Sequence, residues 1–424
     1  MQELEITMNT PETIITRNRR KTQTCKTYTM KFDYSHLSKE QLHNLNILFL
    51  EAKWLYNAQL SSPDIFAFDY KTKEVIILDK DKLPTKREIK YLSSQMKQAL
   101  VFRTRDNIVN LSKSKRKGRS VGRLKYKSVI NSIPLTQFGI TYKITSPKHI
   151  HIQKFKNDFK VIGLNQIPKD AEIANATLIY KNGNYYIKIT CFTPKVISQK
   201  TGKVIGLDFG IHDTVVISNG DKYNFQFPET RHLKRVSRKF NKTKLRGKNH
   251  RKIQMKLRKQ YEKLSNKKQN SKNKFVAKLL RENDIVVVQN ESIHAWHSSK
   301  LKCFGRRIQY GIMGGIISGL KQNPKTLVVD KFFPSTQLCP KCGSLNKPMT
   351  ALGQRIYYCD CGYVDDRDTH SAINILTMGL KIIRAEHTNF QMPEEDKTSC
   401  LAFSNTLLLK VFPMSQEALS VREG

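Results

Sequence analysis

Acidic residues are scarce in this sequence. Its 424 residues include 35 Asp and Glu against 75 Lys and Arg, giving a formal net charge of +40 and a sequence pI of about 9.9. Such an excess points to a polyanionic partner. Long apolar runs are lacking too. No stretch approaches the ~18 residues a membrane-spanning helix needs, so the positive charge is not read as that of a membrane protein. The opening MQELEITMNT holds two glutamates and no apolar core, which excludes a secretory signal and makes the cytoplasm the expected location. In that reducing compartment, eight cysteines do not make a disulfide framework. Cys25, Cys191, Cys303 and Cys400 are scattered and read as small hydrophobes or idle thiols. The hydrophobic share, 39%, is enough for two to four modules with cores of their own, which excludes a basic disordered chain.

The first 27 residues are polar, threonine-rich and aperiodic, so a flexible arm is expected there, with order beginning near Tyr28. Ser38-Lys39-Glu40-Gln41 is a capping sequence. It opens a run with Leu42, Leu45, Leu48, Phe49, Ala52, Leu55 and Tyr56 at helical spacing, which predicts an amphipathic helix. A second helical stretch covers about 86–110, followed by the basic segment SKSKRKGRSVGRLKYKS, whose glycines and Tyr126 suit close backbone contact with nucleic acid. From about 130 to 195 the hydrophobic period changes to two. Runs such as HIHIQKF and LIYKNGNYYIKITCF, the latter folding at Asn182-Gly183, predict a small antiparallel β-barrel or sandwich.

After Thr201 the order of elements carries information. VIGLDFG, DTVVISNG and KYNFQF read as three strands, with a tight hairpin at Asn219-Gly220. The long helical region from Arg231 to Glu282 holds 21 Lys and Arg but only two Glu in 52 residues. Cations at that density repel one another unless phosphates lie nearby. DIVVVQNES then reads as a strand, IQYGIMGGIISGLKQ as a helix, TLVVDKFF as a strand and Asp368 to Leu380 as a helix. The glycine row Gly311, Gly315 and Gly319 suits close packing of that first helix on a sheet. Three antiparallel strands, then helix, strand, helix, strand and helix, is the order of an RNase H-like domain. A cysteine cluster is inserted before its last helix.

Asp208 ends an apolar strand, where a charge must be paired or must hold a metal. Glu291 follows the strand Ile285 to Gln289, and Asp368 opens the terminal helix. The topology brings these three acids to one end of the sheet. Hard oxygen ligands there suit Mg²⁺ or Mn²⁺, and two such ions about 3.5 to 4 Å apart stabilise both attacking and leaving oxygens in phosphodiester hydrolysis. The expected nucleophile is an activated water. Cys339-Pro340-Lys341-Cys342-Gly343 and Cys359-Asp360-Cys361-Gly362 form two knuckles on a short hairpin, a zinc ribbon with one structural Zn²⁺. The second pair is CxC and not CxxC, which demands a tighter loop. Were Cys361 not to ligate, His370 or Asp365 would be the substitutes.

GLDFG, the basic helix, VVVQNES, FPSTQLCPKCG, the ribbon and DRDTHSAINIL together resemble TnpB, the nuclease of many bacterial and archaeal insertion sequences, and the compact type V CRISPR effectors related to it. The resemblance covers roughly Tyr28 to Leu376 and is most specific in the last third. It implies a wedge β-barrel over 28–200 carrying a helical recognition module at about 36–128. It further implies a RuvC-like (RNase H-like) nuclease domain in two parts, 201–332 and 365–384, split by the zinc ribbon at 333–364 as a target nucleic-acid-binding element. The remainder, 385–424, is expected to be a disordered tail. The implied activity is metal-dependent, RNA-guided cleavage of double-stranded DNA, with a guide RNA from a transposon end and no membrane partner. A monomer is expected. By motif, Asp208 and Asp368 are the first and third catalytic acids, and Asp366 supports Asp368. Much of the family places its middle acid where this chain has Gln289, whereas Glu291 comes two residues later. On a continuing strand the two would share a face, so Glu291 is taken as the middle acid. Two alternatives stay open: a small CRISPR effector, and a nuclease-inactive RNA-guided repressor.

Overall fold

The computed structural model describes residues 11–78, 83–195, 201–245, 247–293, 305–346 and 354–389. The chain divides into two compact units, 1–197 and 198–424. Cys303, Cys400 and the expected tail beyond residue 389 lie outside the described residues.

The first unit is built on a seven-stranded, largely antiparallel sheet in the order β4-β8-β9-β1-β7-β6-β5. Its long strands are β1 (Gln23–Phe32), β8 (Glu172–Lys181) and β9 (Asn184–Pro194). The shorter ones are β4 (Ser132–Leu135), β5 (Tyr142–Ser146), β6 (His149–Ile152) and β7 (Phe159–Ile162). Alternating side chains put Met30, Phe32, Phe159, Leu178, Tyr185 and Ile187 into one core. The hairpin at Asn182-Gly183 has φ of 51° and 80°, the left-handed pair a two-residue turn requires. Between β1 and β4 lie α2 (Lys39–Ser61), the hairpin β2 (Glu74–Leu78) and β3 (Pro84–Glu88), and α3 (Ser94–Arg116). At Ser38 both halves of the capping box form with Gln41.

The N-terminal stretch departs from expectation. Residues 11–21 form α1 (Pro11–Lys21), and Gln23 already pairs with Pro194 as β1 runs antiparallel to β9. Thr24 and Thr27, read as part of a flexible arm, are strand residues, and Thr13 and Thr16 belong to the helix. Arg19 and Arg20 both hold Glu172, at 3.0 and 2.9 Å.

The second unit is centred on a five-stranded sheet in the order β12-β11-β10-β13-β14. Its strands are β10 (Val204–Asp208), β11 (Val215–Ile217), β12 (Lys222–Tyr223), β13 (Ile285–Gln289) and β14 (Thr326–Val329). β11 is antiparallel to both β10 and β12, while β10, β13 and β14 run parallel. The region read as one basic helix is two: α4 (Arg231–Asn241) and α5 (Lys248–Glu282). The next helix is also divided, into α6 (Gly305–Tyr310) and α7 (Met313–Lys321). Its glycines pack differently from expectation. A Cβ at Gly315 or Gly319 would meet Lys272 or Val276 of α5, so these two glycines face a helix and not the sheet, while Gly311 faces Arg307, Ile308 and Gln226.

On the opposite face, α8 (Arg367–Asn389) lies across β10 and β13, burying Ile375, Leu376 and Leu380 against Val204 and Val287. A small hairpin, β15 (Ile356–Tyr358) and β16 (Val364–Asp366), precedes it. No described helix is long and apolar enough to cross a membrane.

Candidate active site

Parallel strands deliver their C-terminal ends to one edge of a sheet, where a crevice forms. Asp208 is the last residue of β10. Its neighbour β13 ends at Gln289, and Glu291 follows. Asp368 stands in the first turn of α8. All three acids line one cleft of about 410 Å³, together with His212, Gln289, Arg307, Arg355 and Arg367. Glu291 does not get there on a continuing strand. Beyond Gln289 the chain turns, the Glu291 N–H donating to the Gln289 carbonyl at 2.9 Å, so a tight turn brings its carboxyl to the cleft.

The electrostatics of the cleft are unbalanced. Burial pushes the Asp208 carboxyl up to about 8, and the nearby charges of Asp368 and Glu291 add to the effect; hydrogen bonds from the Phe209 N–H and Ser371 hydroxyl oppose it. Burial also raises Glu291, against the pull of Lys331 and Lys321. Asp368 is met by Arg355 at 3.3 Å and Arg367 at 3.5 Å. Asp366 caps α8, accepting the N–H groups of Asp368 and Thr369 at 3.2 and 3.1 Å and pairing with Lys222 at 2.7 Å. Burial works against its ionisation, yet Lys222 and those N–H groups hold its carboxyl below the usual range. Arg355 carries no motif of its own, and Arg367 lies in the DRDTHSAINIL run without being singled out there. Only proximity in the fold reveals them.

The cysteines form the second centre. Among the described residues, Cys339, Cys342, Cys359 and Cys361 are the one set of His, Cys, Asp or Glu whose ligand atoms all lie within 4.8 Å of one another. Cys339 and Cys361 sulfurs are 3.6 Å apart, and those of Cys342 and Cys359 3.5 Å. Four thiols so gathered suit tetrahedral zinc. Each knuckle closes on a left-handed glycine, Gly343 (φ 76°) and Gly362 (φ 81°), whose N–H donates to the carbonyl of the first cysteine, Cys339 or Cys359, at 2.9 Å. The CxC pair uses the same closure with one residue fewer. The Ser344 hydroxyl and N–H bring the Cys342 thiol down to about 6, towards the thiolate that a metal binds. His370 has no place in this cluster. It is fully buried, stacked on Tyr357 at 3.7 Å, with Nε2 beside the Asn374 amide at 3.1 Å.

An α/β unit with a carboxylate cleft at its strand ends, interrupted by a four-cysteine ribbon, defines the class. A family profile described as "Probable transposase" (OrfB_IS605) matches residues 191–293, and one described as "Cas12f1-like, TNB domain" matches 320–375. A Streptomyces pristinaespiralis protein named "Putative RNA-guided DNA endonuclease" is 27% identical over 224 residues, 50% of this chain and 55% of that protein. The chain thus spans about half the length of that relative. Among solved structures, a Cas12f1-sgRNA-target DNA complex aligns with 83% of this chain and 99% of its own at 13% identity and a TM-score of 0.24. The mini-RNA-guided endonuclease CRISPR-Cas_phi3 aligns with 55% and 57% at 12% identity and a TM-score of 0.30. Neither score is high enough for a shared fold to follow. By its matched stretches and motifs, the chain is TnpB-like.

Proposed function

We propose that this protein is an RNA-guided DNA endonuclease in which Asp208, Glu291 and Asp368 hold two Mg²⁺ or Mn²⁺ ions. One observation carries the reading: three carboxylates from distant sequence line a single cleft, where burial and mutual repulsion push Asp208 up to about 8. That arrangement disfavours its own charges until a cation neutralises them. The strand order, three antiparallel strands followed by two parallel ones, supports an RNase H-like (RuvC) reading of the unit. When bound, such ions supply Lewis-acid stabilisation of a phosphodiester and an activated water.

The chain's own residues supply the rest. Arg307, Arg355 and Arg367 line the cleft around the acids and can hold a phosphate. The ribbon holds one structural Zn²⁺ through Cys339, Cys342, Cys359 and Cys361, and its hairpin leads directly into α8 and Asp368. The +40 charge suits binding of both guide RNA and target DNA, and the guide is read as transcribed from a transposon end. Gln289 borders the cleft but spends its amide on backbone carbonyls, which favours Glu291 as the middle acid over the repressor reading.

The test is to purify the protein with its co-expressed RNA and supply plasmid bearing the matched target, Mg²⁺ and a library of flanking sequences. Cutting that disappears in Asp208→Ala and Glu291→Ala, with RNA binding retained, is expected. Intact plasmid across the whole library would sink the proposal.

A further inference from the structure

Between α3 and β4 the chain runs through residues 117–131 without helix or strand. Eight Lys and Arg and no acid fall from 113 to 127, so mutual repulsion favours a loose solvated loop. The middle of the segment is pinned instead. The Asn57 side chain of α2 takes both backbone groups of Lys127, Nδ2 donating to the carbonyl at 3.0 Å and Oδ1 accepting the N–H at 2.9 Å. One amide thereby replaces a neighbouring strand, and with a donor on one side and an acceptor on the other it can point only one way. The Tyr56 hydroxyl donates to the Lys125 carbonyl at 3.3 Å, and the Lys127 ammonium lies 4.2 Å from the centre of the Tyr56 ring. Further on, Ile130 is buried in the core, and Arg103 of α3 donates to the Ser132 hydroxyl and carbonyl at 3.1 and 3.0 Å.

Pinning a chain ordinarily serves to bury its large apolar groups. Here the residue between the two pinned carbonyls, Tyr126, stays 65% exposed, and Arg123, Lys125 and Lys127 around it are exposed too. We propose that Tyr126 is a stacking platform for an unpaired base of single-stranded nucleic acid. Arg123 and Lys125 meet the phosphates flanking that base, and Asn57 is the positioning residue that holds the platform in place. A ring in water among cations fits a nucleotide chain better than an apolar protein surface, because the base supplies a π-face and its phosphates supply the opposite charge. The base is an unpaired one, since inside a duplex both faces are covered by neighbouring bases. This role rests on the reading of the chain as a nucleic-acid binder, and adds which form of strand one surface takes. It does not depend on cleavage.

The experiment is fluorescence anisotropy of labelled single-stranded RNA, single-stranded DNA and the corresponding duplex DNA, each titrated with zinc-loaded full-length protein. Tyr126→Ala is expected to weaken binding of a single strand roughly 5- to 150-fold, the span of one lost base–aromatic stack, while duplex binding holds. The RNA and DNA arms tell which strand the platform takes. Tyr126→Phe, which keeps the ring, is expected to bind as wild type does. Changing Arg123 and Lys125 to Gln should instead flatten the salt dependence, by about 0.7 in log–log slope per phosphate. Asn57→Ala is expected to weaken single-strand binding, and Tyr126→Ala to cost less on that background than on wild type, a coupling that general destabilisation does not produce. Unchanged affinity of Tyr126→Ala for both single strands overturns the proposal. So does an equal loss on the duplex, or a loss that Phe does not restore. These surface variants carry the test if Asn57→Ala does not fold. Each of those failures leaves the nuclease reading, which plasmid cutting tests separately; a wild-type protein that binds no nucleic acid sinks both.

Discussion

Gly206 of β10 lies directly beneath Ala372 of α8, with no room for a side chain between them. A Cβ at Gly206 would run into the Ala372 carbonyl oxygen and come within 2.7 Å of the Leu376 nitrogen. Two positions on, Asp208 points into the cleft that the start of α8 also borders. The close approach of strand and helix is thus what brings Asp208 and Asp368 to one place. Gly206→Ala is expected to destabilise the protein by about 1–3 kcal/mol or more, because backbone cannot yield as a side chain can. Denaturant unfolding of the second unit measures this. An unchanged midpoint would mean that α8 is not seated on β10 as described.

The pH dependence follows from Asp208. Its folded carboxyl is raised to about 8 from the ordinary aspartate value of 3.8, so the folded state holds a proton that the unfolded state releases. The stability from this group is complete below about pH 4 and is lost as pH rises towards 8. In zinc-loaded, Mg²⁺-free protein, Asp208→Asn should melt higher than wild type at pH 8, with the difference closing near pH 4. Mn²⁺ affinity should climb over the same window as the cation displaces the proton. A flat affinity between pH 5.5 and 8 would contradict this account.

The ribbon predicts a stoichiometry. One zinc per chain is expected by elemental analysis, and Cys361→Ser should lose it as completely as Cys339→Ser does, despite the shortened CxC knuckle. Limited proteolysis then reads the structural role, since loss of zinc removes what gathers four sulfurs around one point and should open cleavage between 333 and 364. Retention of zinc by Cys361→Ser would mean another ligand completes the site.

Helix α5 carries exposed Lys252, Lys256, Lys259 and Lys263 at spacings of four, three and four, which places them on one face. If phosphates neutralise them, changing all four to Gln should flatten the salt dependence of RNA or DNA binding. For a duplex the log–log slope falls by about 0.9 for each phosphate that the protein no longer neutralises. Filter binding from low to moderate salt measures it, and an unaltered slope would leave these lysines as a solvated face.

Much of this protein was legible in the order of its residues. The two-residue period gave strands of the seven-stranded sheet, and Asn182-Gly183 a hairpin, because alternation and left-handed turns are local matters. The capping box at Ser38 and the gathering of Cys339, Cys342, Cys359 and Cys361 were legible for the same reason: spacing along the chain nearly decides them. Composition alone called for a polyanion. The N-terminal strand escaped notice because Thr24 and Thr27 pair with Thr193 and Thr190 of β9, far along the chain.

Tertiary structure decided what depends on distant chain. Whether Gly315 and Gly319 of α7 met a sheet or a helix depended on where α5 lay, and the answer was Lys272 and Val276. That Glu291 reaches the cleft by a turn, while Gln289 is held by three carbonyls of a loop some forty residues on, no periodicity encodes. The sequence determined which groups could do chemistry. Their protonation, partners and mutual strain came only with the fold, because burial and electrostatics depend on neighbours brought together in space.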